Sequence, residues 1–109
     1  MRKYSDREII DHLKERNDDA VKYVIHKYLP MIKYLTMNYK YSDGSILMTG
    51  TEDDAEDIFQ EALYIVIKKI DSGNFKLTAK FSTFFYAVSK NLLKLKLKKR
   101  LADEKYKVE

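Results

Sequence analysis

Apolar residues recur at intervals of three and four through most of this chain, and that period predicts helices. The clearest run lies between Ala55 and Ile70. There Ala55, Ile58, Phe59, Ala62, Leu63, Val66, Ile67 and Ile70 form one unbroken stripe. Thr51 precedes it, with Asp54 three residues on. In that spacing the hydroxyl accepts from a backbone amide and the carboxylate accepts in return, which caps a helix start. Acids fill the first turns and Lys68 and Lys69 the last, as the helix dipole favours.

The same period places three more helices. Ser5 to Arg16 reads as a short first helix, with Ser5 and Glu8 as a capping box and Ile9, Ile10 and Leu13 on its apolar side. A second helix starts at Asp18 or Asp19 and runs to about Tyr41. Its stripe is Val21, Val24, Ile25, Tyr28, Met31, Ile32, Leu35 and Tyr39. Pro30 sits off that stripe and is expected to bend or split the helix. Tyr41 to Gly50 reads as a long loop whose Ile46, Leu47 and Met48 pack down in part. After a connector, a fourth helix begins near Ser82 or Thr83 and continues to about Glu104. Phe81, Phe84, Phe85, Val88, Leu92 and Leu95 are its expected apolar side.

Composition narrows the class. With 109 residues and 45% hydrophobic content, the chain fits one domain with a working core. Three glycines and one proline are few for strands and hairpins, so the expected fold is all-α, a single bundle of about four helices. The expected organisation is a short N-terminal helix over 1–17, a bundle over 18–100 and a charged tail or linker over 101–109. The absence of cysteine removes disulfides and thiolate metal sites and fits a reducing compartment. No apolar run is long enough to span a membrane, and the N-terminus lacks a signal-peptide stretch. A cytoplasmic location is expected.

Charge is uneven along the chain. Residues 1–50 carry nine Lys/Arg and seven Asp/Glu, residues 51–72 two and seven, residues 73–109 ten and three. An acidic block beside a basic one predicts two partner surfaces of opposite sign. Asp53, Asp57, Gln60 and Tyr64 share the side of the third helix opposite its stripe, with Glu61 on the flank. That face suits a basic partner, although many such faces are only solvated. "DDAED" also matches a pattern that holds magnesium and diphosphate in helical prenyl synthases. Those bundles are far larger and carry a second acidic site, which this chain lacks. The EF-hand loop pattern is absent. His12 and His26 lie on different helices without ligand spacing, so no metal and no cofactor are expected.

The fourth helix mixes aromatic and basic residues. Lys90, Lys94 and Lys98 step by four along one edge, which suits a phosphate backbone. Asn91 lies between that edge and the apolar stripe and can read base edges. Aromatics at this spacing are mostly core, and Phe84 and Phe85 are assigned largely to packing.

Three segments, "DDAVKYVIHKYLPMIKYL", "AEDIFQEALYIVIKKI" and "KFSTFFYAVSKNLLKLKLKKR", occur in that order. Together they resemble the second domain of bacterial RNA polymerase sigma factors of the extracytoplasmic-function group, over about Asp18 to Arg100. The resemblance implies a transcription initiation domain, not an enzyme. It implies docking of the third helix on the β′ coiled coil of core RNA polymerase, with Asp57, Gln60 and Glu61 at the contact positions. It implies that the segment from Lys80 to Lys98 opens the −10 promoter element and holds the non-template strand. Phe81, Ser82 and Thr83 match the loop that accepts a flipped base; Lys90, Asn91 and Lys94 match the helix that touches strand and backbone. An anti-sigma factor is a further implied partner.

Three departures stand out. Phe84 replaces the family's usual Trp, the Tyr41–Gly50 loop looks longer than usual, and no second helix-turn-helix domain follows Arg100. The chain is therefore expected to be a piece of a longer factor or a stand-alone variant. The rival readings are a helical adaptor that binds another protein through the acidic face and a general basic nucleic-acid binder.

Overall fold

The computed structural model describes residues 3–44, 46–73 and 75–105. Four helices carry the chain: α1 (Asp6–Lys14), α2 (Asp18–Asn38), α3 (Glu52–Asp71) and α4 (Phe81–Lys105). Both expected capping boxes are present. Ser5 Oγ accepts from the Glu8 amide and Glu8 Oε1 from the Ser5 amide; Thr51 and Asp54 repeat the exchange at α3. Asn17 caps α2 by accepting from the Ala20 amide. Pro30 stays inside a single α2 on its exposed side. Residues 106–109 of the expected tail lie outside the described residues, while 101–105 continue α4 as helix.

A two-stranded hairpin replaces the expected loop. β1 (Tyr41–Asp43) pairs antiparallel with β2 (Ile46–Met48), in the register Tyr41 to Met48 and Asp43 to Ile46. Gly44 opens the turn at φ +71°, a conformation that glycine adopts without a Cβ penalty. Ile46 and Met48 are half-buried and Leu47 points out, the period of two that a strand imposes.

The core forms where α2, α3 and α4 meet, with α1 closing one end. Its centre is aromatic. Phe85 lies between Phe59 at 5.1 Å and Tyr28 at 6.0 Å, and stacks on Phe81 at 5.9 Å. Each fully buried Phe contributes roughly 2–3 kcal/mol of apolar transfer. On α3 the stripe is as expected, with Leu63 and Ile67 at its half-buried edge. On α2 the buried arc is wider than expected and includes Ala20, Tyr23 and Thr36, because α2 packs on three helices; Ile25 falls outside it.

The α4 stripe differs most. Phe81, Phe85, Ser89, Leu93, Leu97 and Leu101 are buried, and Leu95 is 63% exposed. Steps of four overshoot a full turn by about 40° each, so the buried line winds around the helix. It begins against α2 and α3 and ends beside the hairpin, where Lys105 pairs with Asp43. A reading that holds one fixed side loses the line after two turns. Ser89 is tolerated inside because its hydroxyl donates to the Phe85 carbonyl at 2.8 Å.

Gly50 joins the hairpin to α3 and admits no side chain. An added Cβ would stand 2.4 Å from Cγ2 of the fully buried Thr36 and 3.1 Å from its carbonyl oxygen. The Gly50 amide donates to that carbonyl. Gly50→Ala is expected to destabilise the chain by about 1–3 kcal/mol, as overpacking does. Urea denaturation followed by circular dichroism measures it.

Candidate polymerase and promoter interface

The acidic face of α3 is open. Asp53, Asp57, Gln60 and Glu61 are exposed, and Tyr64 is 60% exposed with the Lys68 ammonium 5.3 Å from its ring centre. Gln60 also borders a shallow groove between α2 and α3, floored by Ile25, Leu29, Phe59 and Leu63. The acid that α3 does bury is Asp54, in its first turn at the flank of that face.

Asp54 is held by the far end of the fold. Its two oxygens each accept from Arg100, both at 2.9 Å, while Oδ2 also accepts the Thr51 amide at 2.8 Å. Arg100 and these capping bonds hold the Asp54 carboxyl well below the usual carboxylate range, against a smaller opposing effect of burial. Near it, Lys96 lies 3.9 Å from Asp57. Two basic residues of α4, Lys96 and Arg100, are thus turned toward α3 and engaged there.

Of the α4 strand candidates, Lys94, Lys98 and Asn91 are exposed, and Lys99 is exposed beyond them. Lys90 is half-buried beside them, its ammonium 5.8 Å from the ring centre of Tyr39. At the other end of α4, Lys80 and Thr83 are exposed and Ser82 is half-buried. Phe81 is the exception among the candidate residues. It is fully buried against Tyr28 and Phe85, so its ring is core and cannot stack on a base from this position. Its burial follows its place on the expected apolar side of α4; the motif match fixes position but not direction. Phe84, where a Trp was expected, is half-buried against Phe75 of the connector.

Among the described residues no cluster of three or more potential metal ligands exists, and no helix is long and apolar enough to cross a membrane. The fold is a small helical domain with an acidic face on α3 and a basic outer face on α4. The family can be stated: the chain belongs to Sigma-70 region 2, whose family model matches residues 24–101. Neither a curated protein nor a solved structure matches it. The chain is accordingly a transcription initiation domain that binds core RNA polymerase and recognises and melts the −10 element, without enzymatic chemistry.

The Asp54–Arg100 pair generates a pH prediction. A depressed folded-state pKa gives stability that is present above the unfolded value of about 3.9 and lost as pH falls below it. Asp54→Asn is expected to cost about 1–3 kcal/mol at pH 7, the range for breaking a charged hydrogen-bond set. It should also flatten the fall in stability below about pH 4. The Asp71–Arg16 pair keeps part of that fall, since Arg16 also lowers the Asp71 pKa. Urea midpoints at a series of pH values check both effects.

Proposed function

We propose that this domain is of the extracytoplasmic-function group and acts in the cytoplasm through two faces. The α3 face, Asp53, Asp57, Gln60, Glu61 and Tyr64, docks on the β′ coiled coil of core polymerase. The outer α4 face, Lys90, Asn91, Lys94 and Lys98, holds the non-template strand, with Lys80, Ser82 and Thr83 meeting it at the helix start. An anti-sigma factor would act by covering either face.

The observation that carries this reading is the division of the charges on α4. Lys96 and Arg100 are engaged with α3, and Lys94, Lys98 and Asn91 are left exposed together. The basic surface offered to DNA is therefore separate from the acidic surface offered to polymerase, and both can be occupied at once. Strand opening draws on binding energy for unpaired bases and phosphates. Phe81 serves here as the floor beneath Ser82 and Thr83 rather than as a contact.

Two measurements test the faces separately. Asp57→Lys combined with Gln60→Ala is expected to lower capture of purified core polymerase at least tenfold on the order of the cost of like-charge contacts, with helicity by circular dichroism unchanged. Unchanged capture removes the docking assignment. Asn91→Ala is expected to weaken binding of the preferred single strand by about 1–3 kcal/mol, the scale of a base contact, and of a scrambled strand by less. Equal losses on the two strands would leave a general basic binder, and no single-strand binding by the wild type would leave the adaptor.

A further inference from the structure

Helix α4 does not cap its own start. Its first residue is Phe81, and the residue before it is Lys80, whose side chain offers no acceptor. Ser82 and Thr83, which are good capping residues, lie inside the first turn instead. The cap comes from elsewhere: the Phe81 amide donates to Asp6 Oδ2 at 3.0 Å, across 75 residues of sequence. A carboxylate also suits the positive end of the helix dipole. This explains why α4 begins one or two residues ahead of the start its own sequence predicts.

The carboxylate is held in place. Asp6 sits in the first turn of α1, next to the Ser5–Glu8 capping box, and is half-buried. α1 is anchored by the fully buried Ile9 and Leu13 and by the Arg16–Asp71 ion pair at 2.6 Å. Between α1 and the connector lies a hollow of about 580 Å³, bordered by Asp6, Ile10, Phe75 and Leu77. Apolar packing is incomplete there, so the polar bond carries more of the alignment.

We infer that Asp6 is a positioning residue for the promoter strand. By holding the Phe81 amide it fixes where α4 begins, and so how Lys80, Ser82 and Thr83 are presented. Without it, Ser82 is the nearest local cap. Its hydroxyl would then turn inward onto the amides of the first turn, and Phe81 would leave the helix. α1 lies ahead of the stretch that the family model matches, residues 24–101, yet it becomes part of the strand-holding device. The inference rests on the reading of α4 proposed above.

The test uses the full chain with Asp6→Ala and Asp6→Asn. The probe is the single strand that the wild type enriches from a random pool, beside a scrambled strand, with affinity read by fluorescence anisotropy. Core polymerase capture and amide hydrogen exchange are measured on the same proteins. Asp6→Ala is expected to lose roughly fivefold in affinity for the enriched strand, the scale of a lost cap, and less for the scrambled strand. Polymerase capture should be unchanged. Exchange should quicken at Phe81 while Ile58 and Val66 stay protected. Asn caps about as well as Asp, so Asp6→Asn should restore most of the affinity. Wild-type affinity in Asp6→Ala, despite a released Phe81 amide, overturns the inference. So does a parallel loss of strand binding, polymerase capture and core protection, which would make Asp6 a matter of stability alone. A wild type without strand preference overturns the α4 reading itself and this inference with it.

Discussion

The Asp54 carboxylate is where the fold is tied together. It closes the α3 cap through Thr51, accepts both arms of Arg100 and lies beside the Gly50 backbone, which in turn rests on Thr36 of α2. One acidic group thereby fixes the start of α3, the exit from the hairpin and the far half of α4. Arg100 can be held only if α4 keeps one rotation about its own axis. That rotation decides which lysines face outward, so a half-buried pair sets the composition of an exposed surface.

Energetics favour this division. In the Asp54–Arg100 contact the carboxylate is shielded and the pairing is bidentate, the geometry in which a charge pair is strong. The Asp57–Lys96 contact is open to water at 3.9 Å and belongs to a class worth about 0–1 kcal/mol. Asp57 can therefore exchange Lys96 for another cation at little cost, whereas Asp54 cannot release Arg100. The acidic stretch of α3 holds one structural acid and several available ones, and burial separates them.

Much of this was legible in the sequence. Helix α3 was plain because its stripe and its capping box agree, and its open face followed by subtraction. α1 was legible for the same reasons, and α2 from its stripe alone. The hairpin was not, because three-residue strands leave no periodicity to count, although Asp43–Gly44 was a turn signal of the right kind. The start of α4 was hidden because its cap is Asp6, and no local pattern reports a partner 75 residues away. The α4 stripe was hidden because its buried line winds. Phe81 was legible as core from its place on the apolar side, whereas its motif position gave no orientation. The exposure of most charges on α3 and α4 was legible from the helical period, but the engagement of Lys96 and Arg100 with α3 needed the third dimension.

The winding line on α4 has a consequence for how this chain can change. Its outer face carries little packing, so the fold itself makes few demands on the side chains there. Its length has no such freedom. One residue inserted near Ser89 would turn everything beyond it by about 100° and shift it by about 1.5 Å. Leu93, Leu97 and Leu101 would leave the core together, Arg100 would lose Asp54, and the lysines would swing away from their side. The helix behaves as a measured rod between Phe81 and Lys105: forgiving in its lettering, strict in its count.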